Sequence, residues 1–404
     1  MSKVIFFLCL VSFICCSKKR NVEEYPMIDV LGGIGKYQRV HCSDYFSSIE
    51  LIPMETRDDC LLNTTFKRFA INDSIIVMYG NYRAFVFDRT GKFLNQIGER
   101  GQGPGEYQYG TVFFLNTAKS TIFIEDLKNI LEYDYKGKYI RSIIRPNIGN
   151  SRLSGCFYVG DNLFIGNVPY NGKNKYKYCL FDQQGDTVKG FYNHIFFDRN
   201  GSWVSTLDDA LPPFCIDNRV FLKDYVNDTI YVLEHSEMRP AYVFGFGKYS
   251  FPKDQLERSY NSIRRNDFFK MSIDFSLMGT PKFFFYRIFV PDIFSRPKSK
   301  PYYQPATNEF KSADGTVYGI YDIEKRTNIL LDTDEYFQKG MINDINGGLP
   351  FVPIYYAENG EVVGVWNPDD MKEMLTEDYF AKQKIKDQEA HQKLRELLKI
   401  FKIR

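Results

Sequence analysis

Short apolar runs rich in Phe, Tyr, Ile and Val recur along the chain, cut at close intervals by Asp, Asn and Gly. Three of these units match one another. They are Phe85-Val86-Phe87-Asp88-Arg89-Thr90-Gly91-Lys92-Phe93-Leu94, Leu131-Glu132-Tyr133-Asp134-Tyr135-Lys136-Gly137-Lys138-Tyr139-Ile140 and Cys179-Leu180-Phe181-Asp182-Gln183-Gln184-Gly185-Asp186-Thr187-Val188. The shared pattern is aromatic-Asp-x-x-Gly-x-x-aliphatic, with the Asp residues 46 and then 48 positions apart. It reads as a β-hairpin: the Asp carboxylate takes turn amides, and Gly supplies the positive φ that closes the turn. Ahead of each hairpin stands another strand with its own polar turn. These pairs are Asn72-Asp73-Ser74 before Ile75-Ile76-Val77, Lys119-Ser120 before Thr121-Ile122-Phe123, and Asp161-Asn162 before Leu163-Phe164-Ile165.

A repeat in the forties with about four strands is the signature of a propeller blade, a sheet that buries its faces only against neighbouring copies. Later repeats are more degenerate. Asp217-Asn218 precedes Arg219-Val220-Phe221-Leu222, Asp228 to Leu233 follows, and Asp314-Gly315 precedes Thr316 to Tyr321. A last strand pair is legible at Phe351–Tyr356 and Val362–Trp366, across Glu358-Asn359-Gly360. The predicted fold is all-β: a six-bladed β-propeller of four-stranded antiparallel blades over residues 46–366. An insertion at about 250–312 carries a helix-compatible Lys253–Phe269 and a loop with Pro291, Pro297, Pro301 and Pro305. Phe283–Phe289 reads as a strand buried on both faces. Residues 367–404 lose strand character and predict helices packed on one face of the ring.

The N-terminus has a different grammar. Met1-Ser2-Lys3 is a short basic start, and Val4–Ile14 is an apolar run too short to span a bilayer. Cys15-Cys16-Ser17 and Lys18-Lys19-Arg20 follow. Residues 1–16 therefore predict a signal peptide, and residues 17–45 a tether and lead-in segment. The Cys after the apolar run resembles the lipobox of bacterial lipoproteins, with Phe13 where Leu is usual. Cys16 is the expected lipidation site, because the residue before the cut should be small and Ile14 is not. No later run is long enough to cross a membrane as a helix.

Charge and cysteines narrow the picture. The 52 Lys+Arg against 50 Asp+Glu leave no field suited to nucleic acid. Beyond Cys16 the mature chain holds Cys42, Cys60, Cys156, Cys179 and Cys215, an odd set with no CxxC spacing. Cys156 and Cys179 are either a pair on adjacent strands or two buried small side chains. The four His (His41, His194, His235 and His391) are not spaced as metal ligands, so no metal and no cofactor is expected. No G-x-S-x-G segment marks a nucleophile, and Asp198, Asp208 and Asp209 read as solvated loop.

Four segments resemble a known family, the six-bladed β-propeller lipoproteins of Gram-negative gut bacteria, related in architecture to NHL-repeat proteins. They are Ser43–Thr56, Gly98–Tyr107, Asn227–Tyr231 with Arg239–Gly247, and Asn343–Phe351. The most specific is Gly101-Gln102-Gly103-Pro104-Gly105-Glu106-Tyr107. It lacks the Lys-Ser/Thr of a phosphate loop and reads as a tight crossing between blades, with Arg100 and Glu106 as candidates for lining the axial mouth. The resemblance implies a cleaved lipoprotein signal and no settled activity. Two departures stand out: the tail after Asp369 lacks the family's closing strand, and Ser17-Lys18-Lys19-Arg20 is basic where surface-displayed lipoproteins are acidic. The expected protein is an outer-membrane lipoprotein facing the periplasm, anchored by its N-terminal lipid. It would be a binding or scaffold module for a ligand, an envelope protein or a nutrient-uptake complex. The alternative is an NHL-like enzyme of the lyase or lactonase type with an axial active site.

Overall fold

The computed structural model describes residues 25–60, 68–80, 83–110, 112–197, 211–224, 226–250, 273–289, 302–304, 309–311, 316–332 and 340–402. Cys16, the helix expected over Lys253–Phe269, and Asp198, Asp208 and Asp209 lie outside them. The described residues form five four-stranded antiparallel blades, each with its strands in chain order or nearly so. The first comprises Arg68–Ile71, Ile75–Gly80, Arg83–Asp88 and Phe93–Ile97. The second comprises Val112–Asn116, Thr121–Glu125, Asn129–Asp134 and Tyr139–Ile144, and the third Ser154–Gly160, Leu163–Asn167, Tyr176–Phe181 and Thr187–Tyr192. The fourth holds Phe214–Ile216, Arg219–Leu222, Thr229–Glu234 and Glu237–Phe244. The fifth holds Ile273–Gly279, Phe283–Phe289, Thr316–Asp322 and Thr327–Leu330.

The repeated hairpin is built as its chemistry requires. Asp88 Oδ1 accepts from the N–H groups of Thr90 (2.9 Å) and Lys92 (3.0 Å), Asp134 Oδ1 from Lys136 and Lys138 (both 2.9 Å), and Asp182 Oδ1 from Gln184 and Asp186 (both 2.9 Å). Gly91, Gly137 and Gly185 sit at φ of 85°, 84° and 87°. These turns join the third and fourth strands of the first three blades. Asp161-Asn162 and Asp217-Asn218, all four at positive φ, join first to second, the two-residue hairpin geometry that Asn and Asp tolerate.

The first strands of the first, second and third blades touch in turn, as do those of the fourth and fifth, and they form the inner side of the ring. Between blades the cores are aromatic and aliphatic. Val77, Val86 and Ile97 of the first blade pack on Ile122, Ile124 and Tyr133 of the second, and Phe123 and Ile130 meet Phe164 and Phe181 of the third. Phe283–Phe289 pairs on both sides, with Ile273–Gly279 and Thr316–Asp322. It is the second strand of the fifth blade, so part of the stretch read as an insertion is propeller.

The expectation of six blades is corrected to five. Where a sixth would stand, the described residues form the hairpin Tyr355–Tyr356/Val362–Val363 and the isolated bridges His41↔Ile342 and Met341↔Phe351. The hairpin packs between Ile71 and Phe85 of the first blade and Met278 and Phe285 of the fifth. Its strands are too short to make a sheet, and the sector is completed by the chain termini instead.

The N-terminal segment runs as a belt along the outer edges. Met27–Ile28 adds a parallel strand to Val243–Phe244 of the fourth blade, and Gln38 bridges Leu331 beyond the fifth. Ile342 N–H then donates to Val40 O at 2.7 Å. From the other end come three helices, α1 (Pro368–Met374), α2 (Glu377–Ala381) and α3 (Gln388–Lys402), the tail expected from sequence. Asn367 and Thr376 cap the first two. Met371, Leu375, Tyr379, Phe380, Leu394 and Leu398 form one cluster with Leu349, so the tail seals the turn after Asn343.

Candidate functional site

One end of the axis gathers side chains from several sectors. Asn72, buried in the first blade's inner turn, donates through Nδ2 to Tyr135 Oη at 2.7 Å and to Thr117 Oγ1 at 3.5 Å, both in the second blade. Tyr355 of the closing hairpin packs its ring 5.5 Å from that of Phe69. Across the ring, Cys215 lies on the fourth blade's inner strand and is exposed. Glu358, exposed in the hairpin turn, is the common electrostatic neighbour. Burial and then the Glu358 carboxylate push the Tyr355 phenol up to about 12. Desolvation of the sulfur by the atoms around it, and then the same carboxylate, raise the Cys215 thiol although the residue keeps an exposed side. Burial raises Tyr135 as well, and Glu358 adds to it while the Asn72 and Thr117 hydrogen bonds oppose it.

At neutral pH this mouth therefore presents neutral phenols, a protonated thiol, an amide and a carboxylate. Such groups donate and accept hydrogen bonds and offer aromatic surface; a thiol held protonated is a poor nucleophile. Among the described residues no three His, Cys, Asp or Glu side chains are gathered so as to hold a metal ion.

Arg100 and Glu106 sit elsewhere. Glu99–Arg100 and Glu106–Tyr107 form a small parallel pair, and the Glu106 carboxylate turns back to accept from Gly103 N–H at 2.8 Å. Tyrosines fix the linker. Buried Tyr107 accepts from Ala84 N–H (3.2 Å) and donates to Ile97 O (3.0 Å), and Tyr133 Oη donates to Gly105 O at 2.9 Å. Gly105, at φ 76°, lies against Tyr139 of the second blade's outermost strand. The linker thus crosses between the outer halves of the first and second blades.

Cys42, Cys60, Cys156 and Cys179 are buried free thiols, so the pairing alternative for Cys156 and Cys179 gives way to the other. They stand on the first and third strands of one blade, with the second strand between them.

Two charged clusters had no signature in the sequence. Between the second and third blades, buried Glu125 pairs with buried Arg145 and accepts from Cys156 N–H at 2.6 Å. At the junction of belt and tail, Asp344 accepts from Ser43 N–H (3.0 Å) and Ser43 Oγ (2.6 Å) and pairs with Lys386 Nζ (3.1 Å). His41 Nδ1 lies 3.5 Å from the same carboxylate. Lys386 Nζ also donates to Ser43 Oγ at 2.5 Å, so the cluster ties belt, turn and tail together. Both clusters join segments far apart in sequence, and residue spacing carries no trace of that.

The sequence profile of a family described as a domain of unknown function, DUF4934, matches residues 25–401. No curated protein matches the chain. The fold is shared with a solved structure. A Bacteroides fragilis protein described as exported is 18% identical, with a TM-score of 0.61, covering 93% of this chain and 95% of that one. A member of the DUF4221 family from Bacteroides vulgatus is 13% identical over 69% of this chain and 83% of its own, with a TM-score of 0.44. The WD40 domain of Neurospora crassa Pan2 is 10% identical over 65% and 63%, with a TM-score of 0.32.

Proposed function

We propose, from the premise that the chain belongs to the DUF4934 family, that it is an envelope-anchored binding module that grips its ligand at the axial mouth. The observation that supports this reading is the meeting of Asn72 with Tyr135 at 2.7 Å across the first two blades and of Tyr355 in the closing hairpin with Phe69 of the first blade, with the Glu358 carboxylate near enough to raise Tyr355, Tyr135 and Cys215. Hydrogen-bonding groups and aromatic surface without a poised base or nucleophile favour binding over turnover. Export and the lipid on Cys16 rest on the leader grammar of residues 1–20. Among the described residues no helix is long and apolar enough to cross a membrane.

Thermal melts of the leaderless protein against Ca²⁺, Zn²⁺, neutral oligosaccharides and short peptides test the proposal. A ligand at a hundred times its Kd adds about 2.7 kcal/mol of stability. The expected result is a ligand whose stabilisation is lost when Cys215 is blocked with a maleimide or Glu358 is changed to Gln, and which is recovered chemically unchanged. A ligand insensitive to both changes, or one converted to product, overturns it.

A further inference from the structure

The third blade holds a row of aromatic side chains outward. Its fourth strand ends at Tyr192, and the following residues alternate. Asn193, Ile195 and Phe197 are buried, while Tyr192, His194 and Phe196 are exposed, as on an extended chain. Tyr192 and Phe196 are each 61% exposed, and on such a backbone they stand roughly 13 Å apart. Hydrogen bonds tie this segment to the loop before it. Asn193 N–H donates to Lys175 O (2.9 Å) and Phe197 N–H to Gly172 O (3.2 Å). Asn193 Nδ2 donates to Asn174 O (3.2 Å) and Ile195 O (2.8 Å). Because Gly190 has no side chain, the Tyr176 ring lies against it, 5.6 Å from the Tyr192 ring. Lys175 Nζ stands 5.3 Å and 5.4 Å from these two rings.

The charge around the row has one sign. Lys173 and Lys175 are exposed. Asn174 Nδ2 donates to Ser151 Oγ at 3.1 Å, which brings in half-buried Arg152, and Arg152 Nη1 donates to the carbonyl of exposed Lys128 at 3.2 Å. Residues 144–160, 168–181 and 187–197 contain no Asp or Glu. Glu125 is committed to Arg145, and Asp126 to the amides of Gln108, Tyr109 and Gly110. Residues 168–175 join the second and third strands of their blade, whereas Asn72 joins first to second and Tyr135 third to fourth. In an antiparallel sheet these two kinds of connection lie at opposite ends, so this surface is separate from the axial mouth.

We propose that this ridge binds an acidic polysaccharide. Exposed aromatic side chains on a fixed frame mark an interaction surface and lose little freedom on binding. Tyr176, Tyr192 and Phe196 offer faces for the C–H sides of sugar rings, and the span from Tyr192 to Phe196 exceeds one sugar. Lys173, Lys175 and Arg152 supply charge-assisted hydrogen bonds to carboxylate or sulfate groups. Nucleic acid also stacks on aromatics beside cations, but the nearly neutral chain lacks the broad positive field it requires.

Affinity electrophoresis of the leaderless protein through gels holding polygalacturonate or heparin tests this, with dextran as the neutral polymer. Retardation by at least one acidic polysaccharide, and none by dextran, is expected. Lys173→Ala/Lys175→Ala and Tyr192→Ala/Phe196→Ala should each weaken binding at least tenfold at an unchanged melting temperature, because all four side chains are exposed. Lys136→Ala/Lys138→Ala, which removes two exposed cations at the other end of the second blade, should leave binding unchanged. No retardation by either acidic polymer overturns the proposal, as does an equal loss in the Lys136/Lys138 variant. Poly-L-glutamate held as tightly, a thymidine oligonucleotide held more tightly, or binding unmoved by Tyr192→Ala/Phe196→Ala overturns it too, since the surface would then read charge or bases instead of sugars.

Discussion

Replacing Asp344 with Ala tests whether the chain termini close the ring. The Asp344 side chain is 4% exposed and takes two hydrogen bonds from Ser43 and an ion pair from Lys386. Losing a buried charged acceptor of two such bonds costs about 2–4 kcal/mol, because the Ser43 donors are left without their acceptor. The Lys386 side chain is 62% exposed, so solvent screens its pairing, and Lys386→Met alone should cost at most about 1 kcal/mol. At about 2.1 cal/mol/K of unfolding entropy per residue, 3 kcal/mol lowers the melting temperature of a chain this long by roughly 4 °C. Burial pushes the Asp344 carboxyl up, but the Ser43 hydrogen bonds and Lys386 together hold it below its ordinary 3.8. A depressed folded pKa contributes stability that is present above pH 4 and lost as pH falls through the folded value. The assay is thermal melting from pH 7 to pH 3 together with limited proteolysis of the tail. Asp344→Ala should melt lower at pH 7, lose that deficit towards pH 3, and release residues 368–402 to protease. Equal melting of Asp344→Ala and wild type at pH 7, or equal losses in Asp344→Ala and Lys386→Met, would refute the reasoning.

Arg145→Met leaves the Glu125 carboxylate buried without its cation and should cost about 3–5 kcal/mol, read by denaturant unfolding. Gly137→Val puts a β-branched residue at φ 84° with its Cβ 2.6 Å from the Gln96 carbonyl oxygen. It should destabilise by at least about 2 kcal/mol, whereas the solvent-facing Lys136→Ala in the same turn should be within about 0.5 kcal/mol of wild type. Iodoacetamide should label one thiol of the folded leaderless domain (residues 25–404), Cys215, and five after denaturation. Because Glu358 helps hold that thiol protonated, Glu358→Gln should speed its labelling at pH 8; an unchanged rate would remove Glu358 from the mouth.

The hairpins were legible in the sequence because their chemistry is local. An Asp that bonds the amides two and four residues on, and a Gly at positive φ, need nothing beyond their own turn. The three Asp-x-x-Gly units accordingly stand where the repeat places them. The same holds for the tail, whose first two helices begin at Asn367 and Thr376 caps and which buries Met371, Leu375, Leu394 and Leu398. Blade number was not local. Phe351–Tyr356 and Val362–Trp366 have the residues of strands, but a strand needs a partner of matching length, and the neighbouring chain is spent on bridges to the belt. Nor did the Gly98–Tyr107 motif disclose its place: its glycines fit a tight crossing, and Tyr107, Tyr133 and Tyr139 decide that the crossing runs between the outer halves of the first two blades. The axial mouth and the Asp344 junction join residues tens to hundreds of positions apart, such as Asn72 with Tyr135 and Ser43 with Asp344. Sequence alone determined the repeating strand pairs and their turns, because those energies act within a few residues. Ring closure, the belt and the gathering at the axis were decided only when the sheets packed, since burial between blades fixes which distant side chains meet.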